Sequence, residues 1–247
     1  MGELGMNYLK TVISVFVILA AFQTVALAAE RKAYYTDEAI KGYTEGSFVI
    51  LKDDEVNFRK APENGKIIKV LNSHSLLRII RNSGDWLQAE SDGVEGYIYA
   101  SLTGKGSKDE LTDDDFIFES VALGTSFDEQ KMEDKFGEAQ SKSVNKKLKR
   151  INYIYNNAVI GVAKKKKIIE SVTVKDTSYI SMRGVSIGDS AGRAVGQYGL
   201  PDAVVYEAET TAYEYFWYND CKQHLRFALI IDKNSKVAAF ELELLKK

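Results

Sequence analysis

Apolar and polar positions in the last third of the chain alternate in the register of β-strands. From Gln223 to Ile231, Leu225, Phe227, Leu229 and Ile231 fall on one face and His224, Arg226 and Ala228 on the other. That spacing predicts a strand with one covered face and one that is at least partly wet. Ala212–Tyr218 and Lys236–Leu244 read as its neighbours, with Asp232-Lys233-Asn234-Ser235 as a hairpin turn. Upstream, Ala191–Tyr198 predicts a short helix. Asp189 or Ser190 can cap it, Ala194, Val195 and Tyr198 share one side, and Gly199 followed by Pro201 ends it. The same plan occurs earlier in the chain. Val121-Ala122-Leu123-Gly124 returns as Val185-Ser186-Ile187-Gly188, Phe136-Gly137 as Tyr198-Gly199, and Tyr153-Ile154-Tyr155 as Tyr213-Glu214-Tyr215. The first copy therefore predicts a helix within Thr125–Phe136 and strands over Ile151–Asn156, Ala158–Ala163 and Ile168–Lys175, although Pro201 has no counterpart in it. An echo of this length predicts two duplicated modules, 116–183 and 184–247.

Nearer the N-terminus the strands are shorter. Phe48-Val49-Ile50, Val56–Arg59, Ile67–Leu71, Leu76–Ile80, Asp85–Ala89 and Gly96–Tyr99 are separated by turn signals such as Asn82-Ser83-Gly84 and Ser91-Asp92-Gly93. This rhythm predicts a small all-β barrel over 46–103. Three motifs, Val56-Asn57-Phe58-Arg59-Lys60-Ala61-Pro62, Gly84-Asp85-Trp86-Leu87 and Gly96-Tyr97-Ile98-Tyr99, resemble the bacterial SH3 (SH3b) domain, with Phe58 in place of an aliphatic residue and Tyr97 in place of a frequent tryptophan. The resemblance implies an SH3-like barrel that often binds cell-wall peptides or glycan. Trp86 and Tyr97 are large enough to close so small a barrel, and the alternative for Trp86 is contact with a ligand. Residues 30–45 form a polar lead-in. The glycine- and charge-rich segment 104–115, with Asp113-Asp114-Asp115, reads as a solvated linker, because its glycines and acids lack the spacing of a calcium loop.

Lys10 ahead of the apolar Thr11–Ala21, followed by Ala26-Leu27-Ala28, predicts a signal peptide over 1–29 cleaved after Ala28 or Ala29. The alternative is an uncleaved anchor, against which Gln23 and Thr24 interrupt the apolar run. The chain is expected to be secreted, or periplasmic within a cell envelope. Charge is nearly balanced, 33 Lys+Arg against 35 Asp+Glu, which argues against nucleic acid as the main partner. The single cysteine, Cys221, cannot form an internal disulfide. Lys164-Lys165-Lys166-Lys167 falls at a hairpin turn and reads as a solvated turn that shields an exposed edge, with contact to an anionic polymer as the alternative.

Gly188-Asp189-Ser190, Val195, Tyr198-Gly199, Pro201-Asp202, an aromatic strand and the run Ile231-Asp232-Lys233-Asn234 look like the SmpA/OmlA family and the wider β-lactamase-inhibitor-protein-like (BLIP-like) fold. That resemblance implies helices packed on one face of an antiparallel sheet, twice in tandem, and a protein-binding scaffold with no enzymatic activity. No lipidated cysteine is present, so an outer-membrane assembly role does not carry over. The expected architecture is multidomain: an all-β SH3-like barrel followed by an α+β tandem repeat.

No catalytic constellation emerges. The two histidines, His74 and His224, lack metal-ligand spacing. Cys221 and His224 lie three apart at a strand edge, where alternation points them to opposite faces. No phosphate loop and no marked carboxylate pair is evident. The expectation is a non-enzymatic envelope protein that needs no cofactor or metal and holds a cell-wall peptide, a glycan or an envelope protein, meeting the membrane only through its signal peptide. The alternative is an inhibitor or assembly factor of an envelope enzyme that acts through the aromatic sheet. Candidate contacts are Trp86, Tyr97 and Tyr99 on the barrel, and Tyr213, Tyr215, Trp217 and Arg226 on the sheet, the alternative for the sheet aromatics being core or intermodule packing.

Overall fold

Strand β1 (Lys32–Tyr35) is followed by a run of short strands: β2 (Phe48–Leu51), β3 (Val56–Arg59), β4 (Ile67–Leu71), β5 (Leu76–Ser83), β6 (Trp86–Ser91), β7 (Val94–Tyr99) and β8 (Thr103–Gly104). Strands β2 to β8 form a seven-stranded antiparallel sheet in the order β4-β3-β7-β6-β5-β2-β8. Val49, Leu51, Val56, Phe58, Leu71, Leu77, Ile79, Leu87, Ala89 and Ile98 fill its interior. These are the apolar members of each alternating run, which is the SH3-like β fold the motifs imply. This computed structural model describes residues 32–35, 43–218 and 223–245. The expected signal segment, including Lys10, Thr11–Ala21 and the cleavage point at Ala28 or Ala29, lies outside the described residues, as does Cys221. Among the described residues no helix is long and apolar enough to cross a membrane.

Past the barrel come a small hairpin of β9 (Ile117–Phe118) and β10 (Val121–Ala122), helix α1 (Glu129–Phe136), and strands β11 (Ser141–Asn145), β12 (Arg150–Ile154), β13 (Ala158–Ala163) and β14 (Ile169–Val174). Helix α2 (Ala191–Tyr198) then precedes β15 (Ala203–Tyr206), β16 (Thr210–Tyr218), β17 (His224–Asp232) and β18 (Val237–Leu245). All but the small hairpin zip into one nine-stranded sheet, ordered β1-β15-β16-β17-β18-β14-β13-β12-β11. The join is β14 against β18, antiparallel, with Ser171 opposite Glu243 and Val174 opposite Phe240.

The expected α+β tandem repeat is therefore corrected. The C-terminal region is predominantly antiparallel strand, and its two α-helices among the described residues are eight residues each. At a rise of about 1.5 Å per residue each helix is only about 12 Å long. A nine-stranded sheet is about 38 Å across at about 4.8 Å per strand, so two such helices cannot form a layer over it. Helix α1 has Met132 and Phe136 as its apolar residues and no fully buried one, whereas α2 buries Ala191, Gly192, Ala194, Val195 and Tyr198. Much of the remaining cover is non-helical chain, the small hairpin and the barrel: Leu111, Phe116, Phe118 and Val185, with Phe48 and Leu76, belong to one hydrophobic cluster with Phe227, Leu229, Phe240 and Leu242.

The barrel is docked on the sheet, and Ala33–Lys247 is one compact unit. Segment 104–115, expected to be a solvated linker, runs over the C-terminal end of α2. The Leu200 N–H donates to the Ser107 carbonyl at 2.7 Å, Lys108 pairs with Asp202, and Arg183 donates to both Asp115 oxygens at 2.8 Å. Asp113 accepts from Trp217 Nε1 at 3.1 Å.

At the other end of α2 the barrel loop 73–75 rests on Gly192, where an added Cβ would stand 2.5 Å from the Ser73 carbonyl oxygen and 3.1 Å from the Ser75 nitrogen. At Gly196 the closest atoms to an added Cβ are His74 side-chain atoms at 3.4 Å, ordinary contact. Two alanine substitutions one helical turn apart are thus expected to differ in sign. Gly196→Ala gains helix propensity of about 0.5–1 kcal/mol. Gly192→Ala loses about 1–3 kcal/mol because backbone must move. Thermal unfolding of the two variants checks this, and a stabilised Gly192→Ala would show that the loop does not bear on the helix.

Candidate functional site

The barrel's alternation decides which of its aromatics face solvent. Leu87 and Ala89 on β6 and Ile98 on β7 are fully buried, so Trp86, Gln88 and Glu90 on β6, and Tyr97 and Tyr99 on β7, point outward. The register sets Trp86 opposite Tyr99, and Gln88 opposite Tyr97. The Trp86 and Tyr99 rings meet edge-to-face, with centroids 5.5 Å apart and planes at 76°. Tyr99 is exposed and Trp86 and Tyr97 are half-buried. Neither Trp86 nor Tyr97 closes the barrel, because Phe58, Leu77, Ile79 and Ile98 already fill it.

Tyr97 is also opposite Arg59, which in turn is opposite the exposed Ile67. Arg59 Nη1 donates to the Gly65 carbonyl at 2.9 Å, which fixes the β3–β4 turn beside the aromatic strip. The site is thus a shallow outer face with an aromatic floor of Trp86, Tyr97 and Tyr99, flanked by one guanidinium and one aliphatic residue. Rigid rings with polar tips can stack on sugar faces or grip an extended peptide. Arg59 and Ile67 went unnoticed in the sequence, although Arg59 alternates with the buried Phe58 and so had to face outward.

The sheet candidates are placed differently. Tyr213 and Tyr215 are 1% and 2% exposed and lie in the core facing α2. The Tyr215 hydroxyl donates to the Gly199 carbonyl at 3.1 Å, and the Tyr213 hydroxyl to Asp92 at 2.6 Å. Burial, first of all, pushes both phenols well above their ordinary range, so both remain donors. Trp217 is half-buried against the core and bonded to Asp113.

Arg226 lies on the opposite sheet face but is buried in an ionic ladder. Its Nε and Nη2 each contact Glu214 at 2.8 Å, and its Nη1 reaches Glu241 at 3.2 Å and Glu243 at 3.7 Å. Glu243 then accepts from Arg150 at 3.0 Å, and Arg150 pairs with Glu170 at 3.5 Å. Burial alone would lower the Arg226 pKa, but Glu241 and Glu214 more than offset it and the net shift is upward. These four candidates are therefore committed to internal contacts.

His74 is exposed on its barrel loop, and His224 is exposed with its ring edge-to-face against Tyr218 at 4.7 Å. No group of His, Cys, Asp and Glu among the described residues could hold a metal ion.

Residues 52–105, which carry the aromatic strip, match the family described as the bacterial SH3 domain. No curated protein matches the chain. Among solved structures, it is similar to an extracellular protein containing a SCP domain from Bacillus anthracis str. Ames, with 14% identity and a TM-score of 0.35 over 56% of this chain and 49% of that one. The chain thus spans about half the length of that protein. It is also similar to the C-terminal domain of TagH, with 8% identity and a TM-score of 0.23 over 88% of this chain and 100% of that one.

Proposed function

We propose that this chain is an exported, non-enzymatic binding protein of the bacterial cell envelope that holds a cell-wall peptide or glycan on the outer face of its barrel. The observation that carries the reading is the strip of Trp86, Tyr97 and Tyr99, held outside a barrel core that is complete without them. The match of residues 52–105 to the bacterial SH3 domain supports the ligand class. The N-terminal export pattern supports the location. The nine-stranded sheet is the rigid mount. Its aromatic residues Tyr213 and Tyr215 are buried, so an inhibitor acting through them has no surface to act with.

Sedimentation of the full chain with isolated peptidoglycan tests the proposal. A Trp86→Ala/Tyr99→Ala double variant is expected to bind at least about tenfold more weakly, as loss of an aromatic hot spot should. Its melting temperature should stay close to that of the parent, because neither ring belongs to the core cluster. A parent chain that stays in the supernatant, or a double variant that is retained equally well, overturns the reading.

A further inference from the structure

Two hairpin turns stand side by side at one end of the nine-stranded sheet. The turn between β11 and β12 carries Lys146, Lys147 and Lys149, and the turn between β13 and β14 carries Lys164, Lys165, Lys166 and Lys167. The two turns touch, since the Lys164 N–H donates to the Lys149 carbonyl at 3.0 Å. All seven lysines are exposed. Among the described residues no ion pair joins any of them to a carboxylate. Glu129 is engaged by Lys142, and Glu170 and Glu243 by Arg150. In a chain whose overall charge is −2, this is a concentrated, uncompensated positive ridge.

The backbone adds a second observation. Lys149 and Lys167 have φ of 53° and 54°, the left-handed region in which a side chain carries a steric penalty. Turn positions of this kind ordinarily hold glycine, asparagine or aspartate. Glu55, Glu63, His74 and Glu119 occupy the same region at other turns, so the conformation does not require lysine, and asparagine can replace either lysine of the ridge with no added backbone strain.

The placement is also polar with respect to the barrel. The β17–β18 turn, whose Ser235 hydroxyl bonds Asp92 of the barrel, lies at the end where β14 finishes, whereas the lysine ridge lies where β14 begins.

We propose that the ridge is a second binding site, for a linear phosphodiester polyanion of the cell envelope, gripped through its backbone charge. Lysine ammonium groups are point charges without the forked geometry of arginine, so they suit a repeating phosphate chain rather than one shaped headgroup. Two narrow turn tips present a line rather than a plane. Leu148 and Ile168, the apolar residues of the tips, are half-buried and offer nothing to insert into a bilayer. The site stands apart from the barrel's aromatic strip and does not depend on that reading.

Titration of the full chain with poly(glycerol phosphate) across a salt series tests it. Replacing all four lysines of the second turn (K164Q/K165Q/K166Q/K167Q) is expected to weaken binding roughly tenfold or more at low salt and to flatten the fall of log affinity with log salt, since fewer phosphates are neutralised. K149N/K167N is expected to weaken binding without lowering the melting temperature, which separates loss of charge from loss of fold. Any of three results overturns the proposal: a parent chain that does not bind the polymer, a quadruple variant that binds it unchanged, or a parent that binds phosphatidylglycerol vesicles but not the soluble polymer.

Discussion

Arg226→Ala is expected to be severely destabilising, by about 3–5 kcal/mol. The side chain crosses the face of the sheet opposite α2 at the junction of β16, β17 and β18, where Ala228 is also buried, and Glu214, the partner it contacts through two nitrogens, is itself only 6% exposed. Removing the guanidinium leaves a carboxylate in a place where water cannot replace the lost partner, and it takes the shared cation from Glu241 and Glu243, two like charges side by side on β18. For a chain of this size the loss corresponds to a fall in melting temperature on the order of 10 °C. A rescue variant separates the cost of burying Glu214 without its guanidinium from the worth of the pair. Arg226→Met with Glu214→Gln restores most of the loss, because a buried ion pair is only modestly better than an uncharged filling of similar volume. If Arg226→Ala melts within about 1 kcal/mol of the parent, the ladder behaves as a solvated surface network instead.

The same residue shows what the sequence can and cannot say. Alternation in β17 correctly separates Leu225, Phe227, Leu229 and Ile231 from Arg226, because a period of two is a local property. That pattern cannot tell whether Arg226 is bare or roofed by its own neighbours, since Glu241 and Glu243 arrive from another strand and Arg150 from across the sheet. The helix Ala191–Tyr198 was legible to its ends, because its signals are local. Ser190 accepts from the Arg193 N–H, and Gly199 sits at φ 73°.

The merger of the two echoing halves was not legible. The pairing of Ser171 with Glu243 leaves no mark within either segment, and a duplicated module looks the same in sequence whether its sheet closes alone or joins its sister. Trp86 is a different case, because the information was present. Gln88 and Glu90 share its side of β6, so period two already put it on the outer face, while the size of an indole argues for the core. The docking of 104–115 was hidden because glycines and aspartates make a solvated linker and a tightly hydrogen-bonded strap equally well. Only Leu111 and Phe116, both buried, hint at the second.

Asp92→Ala is expected to cost a similar amount, about 3–5 kcal/mol, for a different reason: it unpicks the contact between barrel and sheet. Asp92 sits at the β6–β7 turn with φ 47°, a conformation that aspartate tolerates better than most side chains, and its carboxylate is only 5% exposed. One oxygen accepts from the Tyr213 hydroxyl at 2.6 Å. The other accepts from Lys69 at 3.2 Å and from the Ser235 hydroxyl in the β17–β18 turn. Donors from the barrel, from β16 and from the β17–β18 turn thus converge on one side chain. Alanine leaves Lys69 its bond to the Ser235 hydroxyl but strands a phenol in the core. Asp92→Asn keeps the shape and an acceptor for Tyr213 while removing the charge that Lys69 needs, so it should lose less, about 1–3 kcal/mol. Tyr213→Phe removes only the phenolic donor, and a double-mutant cycle between it and Asp92→Asn should return a coupling of about 0.5–3 kcal/mol. Hydrogen exchange supplies the spatial readout. In Asp92→Ala, amides of the β6–β7 turn and of Asp232–Lys236 should lose protection ahead of those in β12 and β13, because the junction opens before the far half of the sheet does. Uniform loss of protection across the sheet would instead assign Asp92 to the stability of the whole core rather than to the docking of the barrel.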